Sequence, residues 1–362
     1  MTDERKFLVD AERRRGRGTQ SNRAGRYERE TRETFDDGWE SLADLAPFKT
    51  DVHHETAKSI ISSNDSPDIG FDQSINPYRG CEHGCVYCYA RPTHAYLGHS
   101  PGLDFETKLY AKVNAAELLE RELANPRYTP KVIALGAVTD PYQPIEREQK
   151  ITRGILEVLS RTGHPVGIVT KSALVVRDLD ILAPMARRGI VKVAISVTTL
   201  DRRLARRMEP RAATPPKRLD AIKALADAGV PVAVMMAPII PALNDSEIEA
   251  VLAAARESGA TEAGFVALRL PLELKELFRE WLAEHYPDRA QRVINILRSM
   301  YGGRDYIAEF GLRQRGQGPY AAQIGTRFRL AATRLGLNQR HLKLTTEHFQ
   351  RPVPQGGQFS LL

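Results

Sequence analysis

Cysteine is nearly absent from this chain, with three in 362 residues. So sparse and odd a set cannot staple a chain of this length, which excludes a disulfide framework. Long hydrophobic runs are absent too. The most apolar stretch, residues 230–243, is too short for a membrane span and carries Pro231, Pro238 and Pro241. The first fifty residues hold no apolar segment of the kind that forms a secretory signal. A soluble, cytoplasmic protein with no membrane partner is expected, and the scarcity of cysteine suits a reducing compartment.

Hydrophobic residues make up 42% and charged residues 27%, enough for a sizeable core and too apolar for general disorder. The length suits one large domain or two. The net charge of +7 is unevenly spread. Residues 1–50 carry 11 Lys and Arg against 11 Asp and Glu, whereas residues 303–362 carry 9 against 3, a net +6. That basic C-terminal segment has the sign to meet nucleic-acid phosphates, and equally suits a solvated surface. Eight arginines crowd residues 13–32, among Gly, Ser, Asn and Glu. So few apolar side chains cannot offset the entropy of ordering, so a disordered, charged N-terminal extension is predicted over residues 1–50. A nucleic-acid-binding arm is the other reading of that composition.

From about Phe71 short β-branched runs alternate with longer amphipathic ones. Strands are expected at 73–76, 132–135, 166–170, 191–197, 232–236 and 262–266, and helices at 114–124, 147–161, 175–188, 216–228 and 246–258. Gly163, Gly189, Gly229 and Gly259 stand just past four of those helices, where a left-handed cap is wanted. Asn114 and Asp245 or Ser246 are candidate N-caps. Such alternation predicts a parallel α/β fold. Six βα units exceed a minimal doubly wound half and fall short of an eight-unit barrel, and both architectures gather ligands at the C-terminal strand ends. The rhythm changes after Trp281, where 289–301 and 321–335 read as helices and the last dozen residues as a tail. A core over 51–285 and a helical, basic C-terminal extension over 286–362 are predicted.

The cysteines are Cys81, Cys85 and Cys88, within NPYRGCEHGCVYCY at residues 76–89. Soft thiolates spaced C-x3-C-x2-C wrap a metal centre from one loop. Gly80 and Gly84 let the backbone turn tightly and bring N–H groups to sulfur. Three readings stand. The thiols are incidental and buried. Or they bind zinc, with His83, His94 or His99 as the fourth ligand. Or three thiolates hold a cubane iron–sulfur cluster and leave one iron open, since a ferredoxin-like set would need a fourth cysteine.

These residues resemble the radical S-adenosylmethionine (SAM) superfamily, whose C-x3-C-x2-C motif follows the first strand of a partial (β/α)6, TIM-like barrel. Tyr87 stands in its aromatic slot, and the resemblance covers roughly residues 70–280. It implies a 4Fe-4S cluster on Cys81, Cys85 and Cys88, with SAM chelated by the open iron. It also implies reductive cleavage of SAM to a 5′-deoxyadenosyl radical, and an electron donor such as flavodoxin or ferredoxin. A narrower resemblance is to the spore photoproduct lyase-like group, often labelled DNA repair photolyases. It rests on residues 76–98, on TDPYQPIE at 139–146 and on TKS at 170–172.

The resemblance places SAM at the strand ends. Thr139 and Asp140 end the second strand, where the superfamily binds the SAM amino group. Lys171 ends the third, and a lysine entering an apolar barrel mouth requires a counter-charge such as the SAM carboxylate. Ser196 matches a carboxylate or ribose contact, Arg211 and Glu209 follow it, and Tyr87 meets adenine through its main chain. Met235, Met236 and Ala237 would wall the adenine. Plainer readings exist for each: a turn at 139–142, a snorkelling lysine, a backbone-bonded serine, a surface ion pair, core methionines. Lyases of the narrower group use a further cysteine as hydrogen donor beside the second-strand motif. Val138 stands there, and Tyr89, Tyr96 and Tyr142 are the candidate donors. The expected function is a radical SAM enzyme of unknown substrate, with DNA lyase or repair-like activity in view. A non-catalytic iron–sulfur protein that binds nucleic acid or senses redox state, and a structural zinc module, are the alternatives.

Overall fold

The computed structural model describes residues 7–29 and 45–353. The later part of the arginine-rich stretch and the C-terminal tail beyond residue 353 lie outside the described residues. The β-branched runs form six parallel strands: β1 (Gln73–Ile75), β2 (Ile133–Leu135), β3 (Val166–Thr170), β4 (Val191–Ser196), β5 (Val232–Ile239) and β6 (Glu262–Ala267). They hydrogen-bond in chain order, from β1 to β6. A short antiparallel strand, Ile61–Ser63, pairs with the outer side of β1. Among the described residues no pairing closes β6 onto β1, so the barrel is open. Along β4 and β5 buried residues alternate with half-buried ones, Val191, Val193 and Ile195 being buried in β4 and Val232, Val234 and Met236 in β5, so one face of each strand is more fully covered than the other.

Helices α1 (Ala115–Ala124), α2 (Ile151–Arg161), α3 (Leu179–Arg187), α4 (Pro215–Asp227) and α5 (Ile248–Glu257) fill the crossovers. The four glycines expected to end helices all adopt positive φ. The N-caps agree with expectation in part. Asn114 stands at the N-cap of α1 but makes no side-chain cap bond, its amide being drawn off to the Ala57 N–H and carbonyl at 3.0 Å each. Asp245 opens a short 3-10 turn and accepts from the Tyr320 hydroxyl. The helix expected at 147–161 is broken at Lys150, which takes the left-handed conformation at φ 50°.

The chain continues with α6 (Leu274–His285), α7 (Pro287–Met300) and α8 (Gly318–Arg334). Helix α8 covers the open edge, where Phe328 meets Phe265 of β6 with ring centroids 4.7 Å apart. Two of the cations in this basic segment are neutralised locally, Arg313 by Asp68 and Arg327 by Glu249. Arg351, in the stretch expected to be a tail, bonds the Leu123 and Asn125 carbonyls. No helix among the described residues is long and apolar enough to cross a membrane.

The N-terminal segment requires a correction. Residues 7–29 are not a loose extension, since Arg17, Thr19, Gln20 and Ser21 are buried. What orders them is polar rather than apolar. The Gly18 and Thr19 N–H groups donate to the buried Glu106 carboxylate at 2.8 and 3.0 Å, and the Thr19 hydroxyl does so at 3.0 Å. Arg14, Arg23 and Arg26 pair with Glu284, Glu280 and Glu273, which lie on or beside α6. Gly18 passes so close to the cysteine loop that a Cβ there would lie 1.7 Å from the Gly84 carbonyl oxygen.

Gly18→Ala is therefore expected to displace the arm and lower stability by about 1–3 kcal/mol. Gly16→Ala meets no atom within 4 Å and carries only the strain of its φ of +73°. Urea unfolding of both variants checks this. Equal losses would show that the close approach to Gly84 is not what constrains the arm.

Candidate functional site

The cysteine loop leaves β1 through the two-residue strand Tyr78–Arg79 and is held from several directions. The Cys81 N–H donates to the Phe105 carbonyl at 2.9 Å, and the Val86 N–H to the Met208 carbonyl at 3.0 Å. The Glu82 N–H donates to the Gln143 side chain at 2.8 Å, and the Arg91 guanidinium to the Cys85 carbonyl at 2.9 Å. Gly84 turns at φ +68°, and a Cβ there would meet a Glu106 carboxylate oxygen at 2.6 Å. The loop thus has no room for a side chain at that corner.

All three cysteines are free, and Cys81 and Cys85 are buried. Burial pushes the Cys85 thiol up to about 12, helped by the nearby Glu209, and drives Cys81 well above its ordinary value. Without a bound cation these are neutral thiols, and a metal centre is what would ionise them. The histidines proposed as a fourth zinc ligand are placed elsewhere. The His83 Nδ1 atom faces Asp140 at 3.4 Å, His94 packs on Phe105, and His99 bonds the Tyr110 hydroxyl at 2.6 Å. Among the described residues no group of three or more His, Cys, Asp and Glu is arranged to grip a single ion. A cluster that gives each thiolate its own iron needs no such convergence. Three soft donors on one backbone-tethered loop, with no fourth, fit a cluster of that kind.

Asp140 and Thr139 end up in structural positions. The Asp140 carboxylate accepts from the Thr170 hydroxyl, the Lys171 N–H and the Tyr142 N–H at 2.7, 2.7 and 2.9 Å. Burial alone would raise its pKa, but His83 and these donors outweigh burial and hold it at about 2. The carboxylate therefore latches the ends of β2 and β3 together. The Thr139 hydroxyl donates to the Tyr78 carbonyl at 2.9 Å.

Lys171 projects at the end of β3, its ammonium 5.7 Å from the centre of the Tyr87 ring. Among the described residues that ammonium has no hydrogen bond or ion pair. Burial opposes its charge, yet the surrounding Cys85 and Glu209 outweigh burial and raise its pKa. Ser196 closes β4 and is buried, its carbonyl accepting from Arg218 at 2.9 Å. Glu209 pairs not with Arg211 but with the fully buried Arg218 of α4, and also accepts from Tyr87 and from the Thr198 hydroxyl. Arg211 reaches Glu82 instead, at 2.8 Å.

The tyrosines separate clearly. Tyr89 stands at the mouth, 44% exposed, its hydroxyl bonded to the Ala137 carbonyl and its ring 4.3 Å from the Arg269 guanidinium. Tyr96 lies outside against Tyr27, and Tyr142 is wholly buried beneath Arg177. Of the two methionines proposed as an adenine wall, Met236 is fully buried and Met235 half-buried. Sequence reasoning missed Arg218, Arg91 and Glu106, because nothing in their local sequence marks an internal ion pair.

The sequence profile of the Radical SAM superfamily matches residues 75–255. An uncharacterised protein of Mycobacterium tuberculosis is 38% identical over 232 residues, spanning 64% of this chain and 68% of that one. Another, from Methanocaldococcus jannaschii, is 27% identical over 247 residues, spanning 68% and 88%. Among solved structures, a mutant spore photoproduct lyase superposes with a TM-score of 0.57 at 17% identity, over 79% of this chain and 80% of that one. The same lyase complexed with dinucleoside spore photoproduct gives 0.56 at 16% identity, over the same shares. At such identities the likeness is one of fold.

The Glu209–Arg218 pair gives a sign-definite prediction. Burial raises the Glu209 carboxyl, but Arg218 and Lys171 outweigh burial and hold it at about 2, against an ordinary 4.5. The stability it contributes is complete above pH 4.5 and is lost as pH falls toward 2. Arg218→Met should cost about 3–5 kcal/mol at neutral pH by stranding the buried carboxylate. That deficit should shrink in acid, where protonated Glu209 needs no counter-charge. Urea unfolding at pH 7 and pH 3 checks this, and a deficit that does not change with pH would contradict it.

Proposed function

The chain belongs to the radical SAM superfamily, and from that membership we propose that Cys81, Cys85 and Cys88 carry a 4Fe-4S cluster serving a SAM-cleaving enzyme. The observation that carries this reading is the three-thiol loop, with Cys81 and Cys85 buried and Cys88 half-buried, whose neighbouring histidines are engaged elsewhere and whose Tyr87 ring lies under the Lys171 ammonium. When bound, the reduced cluster supplies the electron that cleaves SAM to methionine and a 5′-deoxyadenosyl radical.

The protein's own groups hold the reactants in place and set the charge around them. Lys171 offers an ammonium at the end of β3, where a carboxylate is the fitting counter-ion. Its charge is secured by Glu209, which cannot move because Arg218, Thr198 and Tyr87 all engage it. The same bond pins Tyr87 within the cysteine loop. Asp140 fixes His83 against the ends of β2 and β3, which sets the distance from the loop to Lys171. Thr139 shapes the β2 end by binding backbone, and Ser196 puts a buried hydroxyl at the end of β4.

The substrate reading is narrower. The fold likeness to spore photoproduct lyase supports a radical reaction on a substrate admitted at the strand ends. Val138 is 37% exposed beside Tyr89, and no fourth cysteine exists to return a hydrogen atom there. Tyr89 is the one candidate tyrosine at the mouth, so hydrogen return falls to it or to SAM-derived product.

Two measurements test these readings. Anaerobic reconstitution followed by dithionite and SAM should yield 5′-deoxyadenosine, absent in Cys85→Ala. Iron binding with no 5′-deoxyadenosine would favour a non-catalytic iron–sulfur protein. Lys171→Met should raise the SAM concentration needed by about ten- to a hundredfold, the worth of one charged hydrogen bond. Photoproduct-containing DNA left unchanged by protein that cleaves SAM would exclude the lyase activity.

A further inference from the structure

A concave charged feature lies away from the strand ends. Six arginines, Arg14, Arg15, Arg17, Arg203, Arg206 and Arg207, line a cavity of about 410 Å³, and among the described residues no acidic side chain lines it with them. Some of these charges are engaged. Arg14 pairs with Glu284, Arg17 bonds the Glu106 and Phe48 carbonyls, and Arg207 bonds the His285 carbonyl. Arg15, Arg203 and Arg206 are exposed, and among the described residues their side chains form no ion pair. A concavity lined by one sign of charge focuses its potential outward and draws in partners of the other sign.

The position of this pit matters more than its charge. Its arginine-bearing walls are the N-terminal arm and the segment around the short helix Arg202–Met208, and His285 of α6 also lines it. Both walls touch the cysteine loop from behind. Gly18 abuts Gly84, the Met208 carbonyl accepts from the Val86 N–H at 3.0 Å, and the Arg211 N–H donates to the His83 carbonyl at 3.3 Å. Lys171, Ser196 and Tyr89 take no part in the lining. A protein seated on the pit would sit within a few residues of the cluster ligands without obstructing the barrel mouth. Nucleic acid is the poorer fit. Single strands need a long groove with aromatic platforms, and among the described residues no Phe, Tyr or Trp lines this cavity.

We propose that this arginine pit is the docking surface for an acidic protein that carries single electrons and reduces the cluster through the back of the cysteine loop. The proposal rests on the cluster reading above. In the transfer one electron leaves the reduced carrier, which is oxidised by one, and the cluster is reduced by one. No bond is made or broken and no proton is required.

Reduced flavodoxin serves as the probe carrier. Cluster reduction is followed by stopped-flow absorbance over a salt series, in the reconstituted full-length protein and in an R203E/R206E variant. The expected result is a slowing on the order of tenfold or more in the variant, and in the wild type as salt rises. Dithionite, too small to need a dock, should reduce both alike. R203Q/R206Q, with an intermediate effect and an unaltered unfolding curve, separates charge from misfolding. Equal flavodoxin rates in wild type and charge-reversed variant overturn the proposal. So does loss of single-stranded oligonucleotide binding in the variant with flavodoxin rates unchanged, which would make the pit a nucleic-acid surface. A chain that takes up no iron and sulfide fails the cluster reading instead. Calorimetric titration of flavodoxin into wild type and variant then still decides the dock, with weaker binding by the variant expected and equal binding overturning it.

Discussion

The site depends on one buried carboxylate. Glu106 has no exposure to solvent, and an ion so placed survives only when every lone pair is answered. Arg91 answers from one side at 2.6 Å, while Gly18 and Thr19 answer from the other. Arg91 also holds the Cys85 carbonyl, and the Glu106 carboxylate occupies the space a Gly84 side chain would need. The cysteine loop is therefore clamped between an ion pair and the N-terminal arm. Its shape is set by charge compensation as much as by apolar packing.

The barrel mouth repeats the principle with a difference. Glu209 and Arg218 answer one another, and Asp140 is answered by the ends of β2 and β3. Among the described residues the Lys171 ammonium has no partner at bonding distance. The carboxylates around it are held in place, and its own charge is open to an anionic group that enters the mouth. Preorganisation of that kind does its work before the ligand arrives, because the surrounding dipoles need no reorganisation.

The barrel was legible in the sequence because periodicity reports burial. Residues 166–170, 191–197 and 232–236 are near-continuous apolar runs, and β3, β4 and β5 form there. The cysteine spacing was equally plain. What escaped was every feature built from long-range polar pairing. Arg218 reads as an ordinary helix residue, and its partner Glu209 was matched with Arg211, two positions away rather than nine. The arm over residues 7–29 was misread for the same reason. Composition measures how much apolar surface a segment can bury, and this arm is held by backbone N–H groups and ion pairs that composition does not register. Asn114 holds its N-cap position without a side-chain cap bond, and Asp245 opens a 3-10 turn ahead of α5, because both side chains have partners elsewhere.

The seat of the arm is also a closure over a long stretch of chain. Gly18 and Thr19 bond a carboxylate 88 and 87 positions further on, and Asn22 reaches Asp104, 82 positions away. None of these bonds forms unless the chain between has folded back on itself, so the entropy of closing so large a loop is offset only in the assembled core. The order of the arm thus reports whether the cysteine loop has reached its final shape, since Gly18 fits only against Gly84 in its turned conformation.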